Sequence, residues 1–480
     1  MSSAWRARAY AAAVVFALSH GVQQFYVMDA CNVLQHVLVP FAKDGILALT
    51  GTRLSQSQMS WMWPAFLALP FLFSITAALT LSSYLADRLG RKRTLLLFGA
   101  VLSLVSGSCL FLAWSTQSIS LLFLGVLSNR VSFSICSPTS IAYLMELSPK
   151  QSRAAVTSLC VSLRPLGGVL GTIAAQSFLF GTERLWGFVF LPMNFLSLAA
   201  LLGLLWLPDS PKWLLLAKND EAGAKRALLR LRVASEDVDD ALADIRADEL
   251  VLAMRRVSPY SLLRWRYRRL LSVVVAVAAM FLLCCIRPMS FYSTKFFTFA
   301  GMELQTAQLF TFAIAIAAVI SGFLSAAYVE RIGRRAFMLY GCLTTILLMM
   351  LASVLGSLGG GGGAGWTSIV CGVSVVLAAA SFVSTIAFLT RDLSGFAMIW
   401  LVNPTLHTMG TLCLLPWLCA GLLVLCFLNH AMPESRDRTC AELASQLAPT
   451  DERPTHGDDD DEDDETRRLE KRPLLTQGKV

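Results

Sequence analysis

The residues best suited to forming ion pairs occur in two similar short segments of the chain. The first reads Ala86-Asp87-Arg88-Leu89-Gly90-Arg91-Lys92-Arg93, and the second reads Val329-Glu330-Arg331-Ile332-Gly333-Arg334-Arg335. Each segment places one carboxylate beside several cations and a glycine, between two apolar stretches. A charge at an apolar boundary is costly alone and tolerable when it is paired. The segments therefore predict two related charge networks, one in each half of the chain.

The overall composition places these segments in a membrane protein. Of 480 residues, 55% are hydrophobic and 15% are charged, whereas soluble domains carry about 25% charged residues. The net charge of +8 does not indicate nucleic-acid binding, because the basic residues cluster between apolar segments, where they set orientation. The 12 cysteines lie mostly inside apolar runs without a C-x-x-C pair. We therefore expect neither a disulfide framework nor a metal site.

Apolar stretches of about 20 residues, enough to cross a bilayer, form two sets. The predicted spans 1 to 6 cover residues 9–30, 61–85, 94–114, 119–144, 154–178 and 185–207. Spans 7 to 12 cover residues 270–290, 305–328, 336–356, 367–390, 394–409 and 411–431. The last segments are crowded, which leaves spans 10 and 11 and the number of spans after residue 366 open. The first apolar run also fits a targeting peptide, but the lack of a clear cleavage site favours an uncleaved span.

This pattern predicts an all-α membrane protein made of two six-helix bundles. The expected units are a first bundle at 1–207, a cytoplasmic helical linker at 208–268, a second bundle at 269–432 and a disordered acidic cytoplasmic tail at 433–480. Cations concentrate in alternate loops, so the positive-inside rule puts both termini in the cytoplasm. The glycine run 359–363 then lies outside as a flexible connection. The linker is either a latch beneath the bundles or a solvated spacer.

Four further motifs narrow the interpretation to a family. The first reads Pro208-Asp209-Ser210-Pro211-Lys212-Trp213-Leu214-Leu215 and resembles P-E-S-P-R-x-L-L of sugar porters, and the second reads Tyr143-Leu144-Met145-Glu146-Leu147-Ser148-Pro149 with Arg153 and resembles their Y-x-x-E-x-x-P-x-x-x-R-G. The third reads Phe291-Tyr292-Ser293-Thr294 with Ala300-Gly301 and resembles their Y-Y-S-T…A-G. The fourth reads Pro433-Glu434-Ser435-Arg436-Asp437-Arg438-Thr439 and resembles their P-E-T-K-G-R-T. The chain thus resembles a divergent facilitative glucose transporter of the major facilitator superfamily. Organic-ion transporters are the nearest rival family.

The resemblance implies a gate that opens and closes as charged groups separate and rejoin. The implied gate residues are Asp87, Arg88, Gly90, Arg91, Glu146, Arg153, Glu330, Arg331, Gly333, Arg334, Arg335 and Glu434. In particular, Asp87, Glu146 and Arg153 are expected to pair between helices. The alternative is that these residues only anchor loops at the membrane surface.

The groups that would bind a sugar in the family are mostly absent from the sequence. Aligned on the motifs, the span 7 amides fall on Phe281, Leu282 and Arg287, the span 5 amide falls on Val161, and the span 8 amide falls on Ala318. The G-P-x-P-x-W motif of the tenth span is also missing between Ser381 and Trp400. The sequence therefore leaves the substrate of a carrier undetermined.

Other polar residues inside the spans remain as candidates for a substrate cavity. They are Gln24, Asn32, Arg164, Arg287 and Tyr292. Arg164 lies 11 residues beyond Arg153, or about 16 Å along a helix, near mid-membrane. An intramembrane cation is a functional candidate by default. For Arg130 and Arg287, snorkelling or a structural pair is the preferred alternative, and Asp29 is a possible partner.

The C-terminal tail carries a separate feature. Residues 458–465 are all acidic, and a run of like charges cannot fold on itself. Beyond it, Glu470, Leu474 and Leu475 resemble an acidic dileucine sorting signal, which would bind a sorting adaptor. A chance leucine pair is the alternative. The protein is accordingly expected in the plasma membrane or in endosomal or lysosomal membranes.

Taken together, these patterns predict a transporter and not an enzyme. The expected function is movement of a hexose-like or other small solute across the bilayer by alternating access, without cofactors or nucleic acid. Two alternatives remain open. One is a transport-deficient interaction or sensing protein built on a carrier fold, and the other is an organic-anion carrier that uses Arg164 and Arg287.

Overall fold

The computed structural model of the protein is built from helices. It describes residues 3–51, 55–149, 152–231, 238–239, 241–243, 245–246, 268–332, 334–360, 365–381 and 409–431. Within these residues there is no β-strand, and nine helices are long and apolar enough to cross a membrane. The predicted all-α membrane fold is therefore confirmed.

The first half contains six of these helices. They are span 1 (Trp5–Val33), span 2 (Met62–Thr80), span 3 (Arg91–Thr116), span 4 (Ile119–Leu147), span 5 (Ala155–Ala174) and span 6 (Trp186–Trp206). Each overlaps the corresponding predicted span. Span 1 contains a π-helical turn at Ala17–Gly21 and continues past Leu34 into a helix at Gln35–Thr50. A further short helix, Ser82–Arg88, follows span 2.

The second half contains span 8 (Leu304–Leu324), span 9 (Arg335–Gly359) and span 12 (Gly410–Ala431). Span 7 consists of two helices, Arg268–Leu283 and Ile286–Phe299, which meet at Cys285 in a left-handed backbone conformation. Span 10 is the shorter helix Gly365–Ser381. The predicted span 11, at 394–409, lies almost wholly outside the described residues.

One sequence expectation about this half is wrong. Helix Arg334–Gly360 continues into the glycine run, so Gly359 is helical and not part of a flexible connection. The helix packs closely there, because a Cβ on Gly359 would lie 2.5 Å from the Ala300 carbonyl oxygen. Residues 361–364 lie outside the described part of the chain.

Spans 1 and 5 pack with their backbones almost in contact. A Cβ on Gly167 would lie 1.7 Å from the Val22 carbonyl oxygen, and one on Gly171 would lie 2.4 Å from that of Tyr26. Small residues permit this approach between membrane helices. The contact fixes the position of span 1, which carries several candidate site residues.

The hydrophobic cores of the two halves are separate. Buried residues between Ala9 and Leu242 form two large clusters, and those between Val273 and Leu428 form another. A small cluster joins the halves, with Met28, Ala68 and Phe71 from the first and Phe291 and Tyr292 from the second. The predicted unit boundaries at 207, 268 and 432 stay predictions.

The described part of the linker packs beneath the first half. Helices Pro211–Leu216 and Glu221–Arg230 place Leu215 and Leu228 in the same core cluster as span 1. Asp220 caps the second helix by accepting a hydrogen bond from the Gly223 N–H at 2.7 Å. The Asp239 carboxylate lies 2.8 Å from the Lys225 amine and raises the pKa of that exposed side chain. This packing contradicts a fully solvated spacer for these residues.

Candidate functional site

The first charged segment forms a network centred on Arg91. Its guanidinium lies 2.9 Å from the Asp87 carboxylate and 3.2 Å from that of Glu146, and it also donates to the Ala86 carbonyl at 3.0 Å. The Ser210 hydroxyl donates to the second oxygen of Glu146. We call Asp87, Arg91, Glu146 and Ser210 the charged network. It joins the ends of spans 2 and 4 to the linker.

Trp213 of the linker holds the glycine of this segment in place. Its indole N–H donates to the Asp87 carbonyl at 2.8 Å. Gly90 has a φ of +89°, and a Cβ there would lie 3.0 Å from the indole ring. A glycine is needed at this position because the backbone conformation and the ring both exclude a side chain. Lys92 adds a contact by donating to the Leu207 carbonyl at 2.6 Å, at the end of span 6.

Two predicted gate residues in this region lie outside the network. The Arg88 guanidinium stacks over the Tyr84 ring at 4.9 Å. Arg153 donates to the Ser148 carbonyl at 3.4 Å, and among the described residues its side chain has no ion pair with Asp87 or Glu146. Arg91, not Arg153, therefore bridges the two carboxylates.

The second charged segment is only partly described. Helices Leu304–Ile332 and Arg334–Gly360 meet at Gly333, which itself lies outside the described residues. The side chains of Glu330, Arg331 and Arg334 also lie outside them, whereas Arg335 donates to the Asn429 carbonyl. Glu434 and the tail signal at Glu470, Leu474 and Leu475 fall in the part of the chain that is not described.

On the opposite side of the membrane from the charged network, hydrogen bonds join the two halves. The Asn32 amide donates to the Ser293 hydroxyl at 2.8 Å, and Ser293 pairs with Thr311 at 3.0 Å. The Ser177 hydroxyl donates to the Gln308 side chain at 2.7 Å, and Gln176 donates to the Gln308 carbonyl at 3.2 Å. We call these residues the outer latch, because the orientation predicted from the sequence places them on the outer side: Asn32, Gln176, Ser177, Ser293, Gln308 and Thr311.

Between the latch and the charged network lies a narrow cavity lined by amides. Its enclosed space is about 20 Å³ in this structure, which is room for about one water molecule. Most lining residues come from spans 1, 2 and 4 of the first half, and span 7 contributes Phe291. The lining residues with polar side chains are Gln24, Asn32, Gln35, Trp63, Asn129 and Arg130. We call this space the amide cavity.

Arg130 has an unusual aromatic environment at the cavity wall. Its guanidinium lies 3.8 Å from the centroid of the Phe71 ring and 5.6 Å from that of Phe291. Such cation–π contacts stabilise a cation that has left water. Only 5% of Arg130 is exposed, so the snorkelling alternative is wrong for this residue. The contact also joins a charge of the first half to a ring of the second.

The predicted cavity residues separate in the structure. Gln24 and Asn32 line the amide cavity, and Tyr292 is buried beside it in the small cluster between the halves. Arg164 lies elsewhere in the first half, where it donates to Ser137 at 3.0 Å and packs over the Phe133 ring. The side chain of Arg287 lies outside the described residues.

Sequence reasoning missed several residues of the cavity. Gln35 and Trp63 belong to no recognised motif, and Arg130 was considered as a candidate without its neighbour Asn129. A usable signal was present, because Asn129-Arg130 is a polar pair inside an apolar run, and such pairs mark intramembrane sites. The pairing of this face with spans 1 and 2 could not be read from the sequence.

Comparisons with known proteins agree with this architecture. A family model described as sugar (and other) transporter matches residues 13–390. The facilitated glucose transporter member 7 of Mus musculus is 24% identical, covering 89% of this chain and 87% of its own. Member 5 of Equus caballus is 26% identical and covers 90% of each chain.

A solved structure shows the same fold. The xylose transporter XylE from E. coli, in a partially occluded inward open conformation, superposes with a TM-score of 0.65 at 18% identity. The match covers 89% of this chain and 98% of that protein. Because the family model spans more than half of the chain and the fold agrees, the chain belongs to the sugar (and other) transporter family.

Proposed function

We propose that the protein is a carrier that moves a small sugar-like solute across a membrane by alternating access. The observation that carries this proposal is the presence of two contact sets on opposite sides of one cavity. The outer latch joins the halves on one side, and the charged network lies on the other. The similar proteins include facilitated glucose transporters and a xylose transporter, which supports a sugar as the class of substrate.

In this proposal the two contact sets form and part in turn. Opening the latch exchanges neutral hydrogen bonds for bonds with water, at a net cost of about 0.5–1.5 kcal/mol each. Rearranging the charged network separates Arg91 from two carboxylates, and hydrogen bonds to charged groups contribute about 1.5–3 kcal/mol. Costs of this size permit both sides to open at ambient temperature. The gate residues of the second segment and Glu434 complete the network.

We also place both termini in the cytoplasm, in the plasma membrane or in endosomal or lysosomal membranes. The cation distribution supports this orientation, because the charged network and the linker cations fall on one side. The bilayer is the direct partner of the spans. Adaptor binding through Leu474 and Leu475 would decide between the membranes.

The test is uptake by the purified protein in proteoliposomes, with labelled hexoses, pentoses, polyols and organic anions. Saturable uptake of at least one sugar is expected. Arg91→Ala removes the centre of the charged network and should lower the uptake rate about tenfold or more. The control Arg93→Ala removes an exposed cation of the same segment and should leave uptake near the wild-type rate.

The other outcomes decide between the alternatives. If no solute is taken up while sugars still bind, the protein is a transport-deficient sensor and the carrier proposal fails. If only organic anions are transported, the anion-carrier alternative replaces the sugar carrier. Equal effects of Arg91→Ala and Arg93→Ala would remove the charged network from the mechanism.

A further inference from the structure

The amide cavity contains buried polar atoms that the protein itself does not satisfy. Among the described residues, no hydrogen-bond partner is present for Oε1 of Gln24, Oδ1 of Asn32, Oε1 of Gln35, Nε1 of Trp63, or either side-chain polar atom of Asn129. Four of these five residues are at most 4% exposed. Buried polar groups in proteins are normally hydrogen-bonded. Their clustering around one cavity indicates that water, or a ligand that replaces it, supplies the missing partners.

The orientation of one amide is fixed by its neighbours. The Asn32 Nδ2 group faces the Ser293 hydroxyl and the Met289 carbonyl, and a carbonyl can only accept. Its Oδ1 is therefore an acceptor turned away from the latch. Asn129 adds one donor and one acceptor, and the Trp63 indole adds a donor. The cavity thus requires a ligand that both donates and accepts hydrogen bonds.

The chemistry of the cavity selects among three ligand classes. A carboxylate can only accept, so the amide oxygens would stay without a donor. An ammonium group would lie near the like charge of Arg130. A hydroxyl donates one hydrogen bond and accepts two, so several hydroxyls on one molecule can match amides and indole together. An uncharged polyhydroxylated solute fits best.

The location of these groups differs from what the sequence motifs imply. The positions at which the family resemblance expects amides are Val161 in span 5, Phe281 and Leu282 in span 7 and Ala318 in span 8. The amides of the cavity come instead from spans 1 and 4 and from the helix Gln35–Thr50. Among the described residues, the amides that line this cavity therefore lie in the first half of the molecule.

We propose that the amide cavity recognises the hydroxyl groups of an uncharged sugar or polyol, with Gln24, Asn32, Gln35, Asn129 and Trp63 as its hydrogen-bonding residues. This inference rests on the proposed carrier function and specifies its site. Phe291 lines the cavity from the second half. Because the enclosed space is about 20 Å³ in this structure, movement of the halves relative to each other must widen it to admit the solute.

Binding is measured by intrinsic tryptophan fluorescence of the purified full-length protein, because the Trp63 indole lines the cavity. The probes are glucose, fructose, xylose, mannitol, gluconate and choline. At least one neutral probe should change the fluorescence, and Trp63→Phe should remove that change. Asn129→Ala and Gln24→Ala should each weaken binding about tenfold.

A matched control comes from Asn194 in span 6. Its Oδ1 is also buried without a partner among the described residues, but it packs against Gly107 outside the cavity. Asn194→Ala should bind the neutral probe as the wild type does. If Asn129→Ala does not fold, Asn129→Leu keeps the side-chain size, removes both the donor and the acceptor without adding a charge beside Arg130, and should also weaken binding.

The outcomes separate this inference from the proposed function. Sugar binding that needs Asn129, without uptake, supports the site and refutes the carrier. Sugar uptake that is unchanged in Asn129→Ala and Gln24→Ala supports the carrier and overturns the site. Binding of gluconate or choline alone, or of no neutral probe, also overturns the inference.

Discussion

At the scale of single residues, Gly90 and Trp213 decide how the charged network is held. The positive φ of Gly90 turns the chain so that Arg91 can bond backward to the Ala86 carbonyl and across to Glu146. The Trp213 ring covers the glycine and ties the linker to the Asp87 carbonyl. The motif glycine therefore serves both the turn and the contact with the linker.

This arrangement predicts different effects of alanine at two glycines. Gly90→Ala meets a backbone cost of about 1–3 kcal/mol, because a φ of +89° with a ψ of 153° is a region essentially restricted to glycine, and an overpacking cost of about 1–3 kcal/mol against Trp213. Gly51→Ala, in the left-handed region with a φ of +67° and nothing within 4 Å, meets only a backbone cost of about 1–2 kcal/mol. Thermal unfolding in detergent should show the larger destabilisation for Gly90→Ala. Equal losses of stability would contradict the combined restriction by backbone and ring at Gly90.

The sequence predicted this site unevenly, for physical reasons. Charged residues at a membrane boundary need partners, so Asp87, Arg91 and Glu146 could be assigned to one network from their types and motifs. The choice of Arg91 over Arg153 depends on which helix ends meet, and spacing along the chain does not contain that information. Asn129 could not be assigned to a cavity, because its neighbours come from spans distant in sequence.

At the scale of elements, the break in span 7 is the clearest departure from a regular helix. Cys285 is fully buried with a φ of +55° between two helical segments. The sequence predicted a single span at 270–290, because an apolar run reveals length but not a local left-handed turn. The second segment, Ile286–Phe299, carries Phe291 to the amide cavity and Ser293 to the outer latch.

The left-handed turn predicts that glycine is more stable than alanine at position 285, which is the reverse of their order inside a regular helix. Cys285→Gly should be more stable than Cys285→Ala by about 1 kcal/mol, because alanine meets the steric cost of positive φ and glycine does not. At Cys371, which is buried within helix Gly365–Ser381, Ala should be the more stable replacement by a similar amount. Thermal unfolding of the four variants checks the sign at each position. The same order at both cysteines would refute the turn.

At the scale of the whole molecule, the outer latch joins the two halves, and Thr311 supports Ser293 from within the second half. Gln308 of span 8 contacts Gln176 and Ser177 after span 5, and Asn32 of span 1 contacts Ser293 of span 7. Composition and hydropathy predicted the two halves and most spans. The latch was not predicted, since polar residues at span ends are ordinary in membrane proteins and only the fold brings these together.

Removing one residue of the outer latch should therefore raise amide hydrogen exchange in both halves of the molecule. Gln308→Ala removes the acceptor for Ser177 and should raise amide hydrogen exchange about two- to tenfold near residues 174–177 and 304–311. Gln305→Ala removes an exposed amide from the same helix and should change neither region. An increase confined to span 8 in the Gln308→Ala protein would indicate local fraying and contradict a contact between the halves.

The contact of Arg130 with Phe71 and Phe291 has a consequence for the step of the transport cycle in which the empty carrier returns to its starting conformation. The guanidinium of one half lies over a ring of the other, a contact made by the protein's own side chains. Since cation–π contacts stabilise a cation away from water, we expect this attraction to help close the cleft whether or not a solute is bound. A carrier with such a contact is expected to reset while empty, as net downhill movement requires, whereas an obligatory exchanger closes only around its substrate.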